Sequence, residues 1–230
     1  MTMLLAAAAA FLLLHLVVSG TRLRDALTGV IGQGAYMGLF SLASLGLLVW
    51  LGFGYAAARG AANNGVYWTA TAATRDIQLA LQLIALLFIV PGLTTANPTS
   101  VRQEGVLAKP DAVRGMLRIT RHPFLWGVAI WATGHLLVNG NLAAFILFGS
   151  LLALALAGTI SIDAKRRRAL GESWNNFAAL TSNAPFAAIA AGRQALRLRE
   201  IGWWRPLLAV IVWAGIIAVH PYAFGVSALP

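Results

Sequence analysis

Cysteine is absent from the 230 residues. That removes a disulfide framework, a thiolate metal site and a cysteine nucleophile, and leaves the redox compartment open. Charge is scarce: only 10% of residues are Asp, Glu, Lys or Arg, and seven of those are acidic. Six apolar runs contain none of these residue types: Met3–Ser19, Ala35–Ala58, Ile77–Thr94, Pro123–Val138, Leu142–Ile162 and Pro206–Ser227. With no carboxylate in any run, a carboxylate–histidine zinc site at membrane depth is disfavoured. No Lys or Arg precedes Arg22, so the first run lacks the basic leader of a secretory signal and reads as a retained span.

What is present is apolar sequence. It makes up 59% of the chain, with a mean hydropathy of +0.76. A soluble core of this size does not need so much, whereas a bilayer does. Most of the runs have the length of a helix crossing a hydrocarbon layer about 30 Å thick. The fold class expected is all-α: a polytopic membrane helix bundle of about six transmembrane helices, forming one domain over residues 1–230. The net charge of +10 reads as basic loops facing anionic lipid, with no nucleic acid as partner.

Fifteen of the seventeen Lys and Arg fall in the first, third and fifth loops. Six spans place those loops on one side, and the positive-inside rule makes that side cytoplasmic. The expectation is an inner-membrane protein with both termini periplasmic. Asn139–Gly140–Asn141 reads as a tight turn joining spans four and five into an antiparallel hairpin. In the fifth loop, Leu170, Trp174 and Phe177 lie at helical spacing behind Lys165–Arg168. They predict an amphipathic helix in the cytoplasmic interface.

The candidate chemistry rests on four histidines. His15, His135 and His220 lie inside spans and His122 opens span four. One histidine in a span is read as a helix-to-helix hydrogen bond. Three in separate spans, with no acid beside them, also suit axial ligation of haem. By depth, His15 pairs with His122 and His135 with His220, because successive spans run in opposite directions. Gln78 and Gln82, one turn apart in span three, read as interhelical hydrogen-bond partners. Arg118, Arg121 and His122, with Arg22 and Arg24, form a basic group on one side. It suits carboxylates or phosphates of a ligand and lipid headgroups equally.

The segment Gly115–Gly127, continuing through His135 to Asn141, resembles the NnrU family of bacterial membrane proteins. So do Leu93–Pro98, Ser182–Ile189 with Gly192–Gln194, His220–Ser227, and His15 followed by Ser19 and Arg24. The same blocks are similar to the plant 15-cis-zeta-carotene isomerases. That resemblance implies a haem b protein with His15 and His135 as iron ligands, and His122 and His220 in reserve. Arg118, Arg121 and Arg24 would face the haem propionates, and an apolar polyene would enter from lipid past Trp126 and Trp131. The activity implied is redox-gated cis–trans isomerisation of a carotenoid, with an unnamed redox partner. The bacterial members imply a second reading, a non-catalytic haem protein of denitrification or nitric oxide metabolism. A third comes from Arg121–Gly127, which resembles the membrane methyltransferases of isoprenylcysteine and phospholipid. These use S-adenosylmethionine, and Asp163 stands where their acidic pair would begin.

Overall fold

The computed structural model describes residues 1–229. About three quarters of the chain is helical. α1 (Thr2–Leu13) passes into a π-helical turn at Leu14–Val18, then α2 (Leu23–Ile31), α3 (Gln33–Arg59), strand β1 (Val66–Thr69) and α4 (Ala72–Thr94) follow. A 3₁₀ turn at Glu104–Ala108 precedes the short α5 (Met116–Ile119), α6 (Pro123–Val138), strand β2 (Asn139–Asn141) and the long α7 (Leu142–Leu180). The short α8 (Ala187–Ala190), a 3₁₀ turn at Leu198–Ile201 and α9 (Trp204–Phe224) complete the chain.

Four helices, α3, α4, α7 and α9, are long and apolar enough to cross a membrane. The count is five if α1 and α2, bent by 79° at their junction, form one span. The fourth apolar run forms α6, which has only 16 residues. At 1.5 Å per residue it is several ångströms short of a typical hydrocarbon layer. The expectation of a membrane-type α bundle therefore holds, with four to five helices of spanning length.

Although short, α6 is central. It packs most extensively on α4 and then on α7. α1 lies against α3 and α7, and α9 against α4. Apolar faces gain little by association in lipid, so close approach of small residues carries the packing. A Cβ on Gly127 would lie 2.8 Å from the Ala85 carbonyl oxygen, and one on Gly134 2.2 Å from Gln78 Oε1. On the other side of α6, the buried Ala132 packs against Ala144 and Phe148 of α7.

Two expectations for loops change. Asn139–Gly140–Asn141 is a short strand, antiparallel to β1, with Trp68 opposite Gly140. The α6–α7 connection thus satisfies its main chain against the loop before α4, while the Asn141 side chain caps α7 at Ala144 N, 3.0 Å away. The predicted interfacial helix is the end of α7 itself, beyond a break at Gly171 with φ 54°. Its apolar face is covered by protein. Trp174 and Phe177 are buried against Leu117, with Leu107 and Val113 alongside.

Candidate functional site

Polar groups gather at the two ends of the bundle, and in opposite styles. One end carries the basic loops; the other carries the β1–β2 pair.

At the basic end, Asp163 follows the last apolar residue of the α7 span. Arg121 reaches it through Nε at 3.0 Å and Nη2 at 2.5 Å. His122 Nε2 meets its other oxygen at 2.7 Å. The His122 side chain is 1% exposed and those of Arg121 and Asp163 are 11% and 13% exposed, so each charge needs this pairing to remain there. The backbone closes around the trio. Arg121 N donates to Ser182 O at 2.9 Å. Asn97 Nδ2 and Thr99 Oγ1 both donate to Arg121 O at 3.1 Å. Thr120 Oγ1 and Trp126 Nε1 both donate to Asn183 O. Three segments far apart in sequence, Asn97–Thr99, Thr120–His122 and Ser182–Asn183, are thus fastened into one lattice.

A second ion pair lies beside it. Arg118 donates from Nε to Glu200 Oε2 at 2.7 Å and from Nη1 to Gln194 Oε1 at 2.5 Å. Glu200 also accepts from Gly115 N at 3.0 Å. The hydrogen bond from Arg118 is the main reason that the Glu200 carboxyl is held down at about 2. Arg118 and Arg121, expected to face a ligand's carboxylates, are spent on these internal acids. His122 is likewise committed to Asp163 through Nε2, and its Nδ1 is buried without a partner among the described residues. Arg24 lies 3.6 Å from Asp25 and over the Tyr36 ring.

At the opposite end, histidine is left open. His135 Nδ1 lies 2.9 Å from Trp131 O, one turn back on α6. A carbonyl only accepts, so Nδ1 carries the proton and Nε2 presents its lone pair. The ring stacks on Phe148 of α7 at 4.7 Å and 24°, with Trp131 at 4.5 Å. Tyr55 of α3 meets Phe148 edge-on at 5.8 Å. No hydrogen-bond partner for His135 Nε2 exists among the described residues. His220 repeats the pattern, with Nδ1 donating to Val226 O at 2.8 Å and Phe224 at 4.8 Å.

His15 belongs to the basic half, in the π-helical turn. Its Nδ1 donates to Phe11 O at 2.8 Å and its Nε2 accepts from Ser44 Oγ at 3.2 Å. Phe11 and Phe40 lie against the ring at 4.3 and 5.2 Å. π-turns are often found at functional sites.

In donor chemistry each of these three imidazoles fits iron: Nδ1 is held by a carbonyl and Nε2 is the ligating atom. The three do not oppose one another. Leu4 packs with Ala143 and Ile146 near the start of α7, and Phe148, on which His135 stacks, lies up to a turn and a half further along α7. His15 lies three turns beyond Leu4 in the same direction, and so about 10 Å past the His135 level by helical rise. In the other direction, Trp213 Nε1 donates to Leu79 O at 3.2 Å, while Gly134 abuts Gln78. His220, seven residues past Trp213, therefore lies about 10 Å further out by helical rise. No cluster of three or more His, Asp or Glu suited to a metal occurs among the described residues.

The segments fastened together at the basic end are those whose sequence carries the resemblance, and the family comparison agrees with them. The NnrU protein model matches residues 3–228. This chain belongs to the NnrU family. Among curated relatives, this NnrU protein is 34% identical over 116 residues to 15-cis-zeta-carotene isomerase, chloroplastic, of Arabidopsis thaliana, a match covering 49% of this chain and 32% of the plant protein. The counterpart of Zea mays is 39% identical over 82 residues, covering 36% of this chain and 22% of that protein. The matched stretch thus spans about a third or less of the relatives' length. No solved structure matches.

Sequence reasoning missed the acids that organise this NnrU protein. Asp163 was legible as the first acid after the fifth apolar run, and with seven acids in all, each one adjoining a span is a strong candidate partner for a buried arginine. Nothing local marked Glu200 as the partner of Arg118, 82 residues away.

Proposed function

We propose that this protein is a haem b-binding integral membrane protein of the bacterial inner membrane that isomerises a double bond of an apolar polyene of the carotenoid class. The observation that carries the reading is the unpaired lone pair of His135 Nε2, set among Trp131, Phe148 and Tyr55, in a chain similar to two carotene isomerases. A haem bound there supplies an iron centre whose valence can be switched. The chain's own residues do the rest. Trp131 O fixes the imidazole tautomer, Phe148 and Trp131 hold the ring plane, and the apolar surroundings suit a hydrocarbon that arrives through lipid. With α6 completing a sixth crossing alongside the bent α1–α2 segment, both termini are periplasmic and the arginine lattice is cytoplasmic.

His15 remains the second ligand implied by resemblance. Because His15 Nε2 is engaged by Ser44 Oγ while His135 Nε2 has no partner among the described residues, His135 is the ligand whose loss tests the reading. Asp163 is occupied by Arg121 and His122, which speaks against its use in an S-adenosylmethionine site. The experiment is an oxidised and dithionite-reduced absorption spectrum of the detergent-purified protein and its His135→Ala variant, followed by incubation with 15-cis-zeta-carotene. The expected result is a b-type spectrum that the variant lacks, and isomerisation only by the reduced parent. A folded parent that stays colourless after haem reconstitution would overturn the reading.

A further inference from the structure

The basic surface pairs its buried cations with acids, but a concave group of more open cations beside them is left with little acid. Arg118 has Glu200, Arg121 has Asp163 and Arg166 has Glu104. A cavity of about 300 Å³ beneath the π-turn is instead lined by Arg22, Arg24, Lys165 and Arg168, with Ala169 and one acid, Asp25. Asp25 is 64% exposed on its side chain and stands 3.6 Å from Arg24, too little to neutralise four cations. Two of the cations are also held in place, while Arg22 and Arg168 are exposed. Lys165 Nζ donates to Ser19 O at 3.0 Å, which ties α7 to the end of the π-turn. Arg24 lies over Tyr36, a buried residue whose hydroxyl has no partner among the described residues. Converging, mutually repelling cations in a concave site lower their energy by holding an anion.

The surroundings indicate what carries that anion. α2, which brings Arg22 and Arg24 to the cavity, is bent by 79° from α1 and so runs across the bundle at the level of an interface. Its Leu23, Val30 and Ile31 are exposed, Val30 by 85%. A phosphate lodged among the four cations would have hydrocarbon-facing side chains directly beside it, as a headgroup with acyl chains requires.

We propose that Arg22, Arg24, Lys165 and Arg168 form a phosphate site that takes the headgroup of an anionic phospholipid from the inner leaflet. This goes beyond isomerase activity and haem binding and depends on neither.

The test is thermal unfolding of the full chain in neutral detergent, with a short-chain phosphatidic acid, the matching phosphatidylcholine, or inorganic phosphate as probe. Phosphatidic acid is expected to raise Tm by several degrees, by binding the folded state alone. The Arg24→Gln, Arg168→Gln double variant should lose at least three quarters of that shift. Arg167→Gln, an exposed cation outside the cavity, should keep it. Native mass spectrometry of the parent should retain one phosphatidic acid that the double variant releases, which also covers the case of a double variant too unstable to melt cleanly. An equal shift from inorganic phosphate would keep the site and make its ligand a soluble phosphate. Equal shifts from phosphatidylcholine, equal loss in Arg167→Gln, or no shift with any phosphate would overturn the proposal.

Discussion

The two ends of the bundle treat the same problem, polar side chains at the edge of an apolar interior, in opposite ways. At the basic end, Arg118, Arg121 and His122 are closed on Glu200 and Asp163, and the backbone around them is bonded to Asn97, Thr99, Ser182 and Asn183. At the other end, His135 and His220 spend one nitrogen on a main-chain carbonyl and leave the other open. Closed groups stabilise position; open groups remain available to a ligand. The histidine of the Arg–His–Pro segment is thus tied to an acid, whereas His135, thirteen residues on, keeps Nε2 without a partner among the described residues.

The contrast breaks most visibly at Asp163. Asp163→Ala strands Arg121 and His122 in a dry site. It should cost about 3–5 kcal/mol, seen as a large fall in Tm in detergent or as loss of folded protein. Gly134→Ala comes next. Its Cβ would meet the Gln78 and Gln82 amides, and the forced shift of α4 from α6 should cost about 1–3 kcal/mol. Adding Gln78→Ala should restore part of it.

Glu200 gives a pH signature to the closed end. Its folded value of about 2 lies below the ordinary 4.5. A depressed carboxyl contributes stability that is fully present above the ordinary value and is lost as pH falls toward the folded one. Between pH 4.5 and 2, Tm should fall in the parent and fall less steeply in Glu200→Gln. The smallest effect on stability belongs to His135→Ala. Interhelical polar contacts in membranes average about 0.6 kcal/mol, and this imidazole bonds only to its own helix. Its Tm should change by no more than a few degrees.

Much of the architecture was legible because its cause is local. Six apolar runs without charge mark where helices form. The burial of Trp174 and Phe177 was misjudged. Helical spacing reveals an apolar face but not whether lipid or Leu117 covers it. The ion pairs were hidden for a similar reason, since Arg118–Glu200 and Arg121–Asp163 close across 82 and 42 residues. The spacing of the histidines showed which helices carry them. Their tautomers depend on carbonyls one turn away, and the offset of His15 from His135 depends on the packing of α1 against α7, which no local pattern records.

The central claim is that function resides in the open imidazole of His135 and structure in the closed lattice around Asp163. The most direct measurement is the reduced-minus-oxidised haem spectrum, taken with Tm, of haem-reconstituted His135→Ala and His122→Ala side by side. The expected result is that His135→Ala has lost its haem bands and melts like the haem-free parent, whereas His122→Ala keeps them and melts lower than the haem-bound parent. A His135→Ala protein that retains the parent spectrum, with His122→Ala losing it at unchanged Tm, would contradict that division.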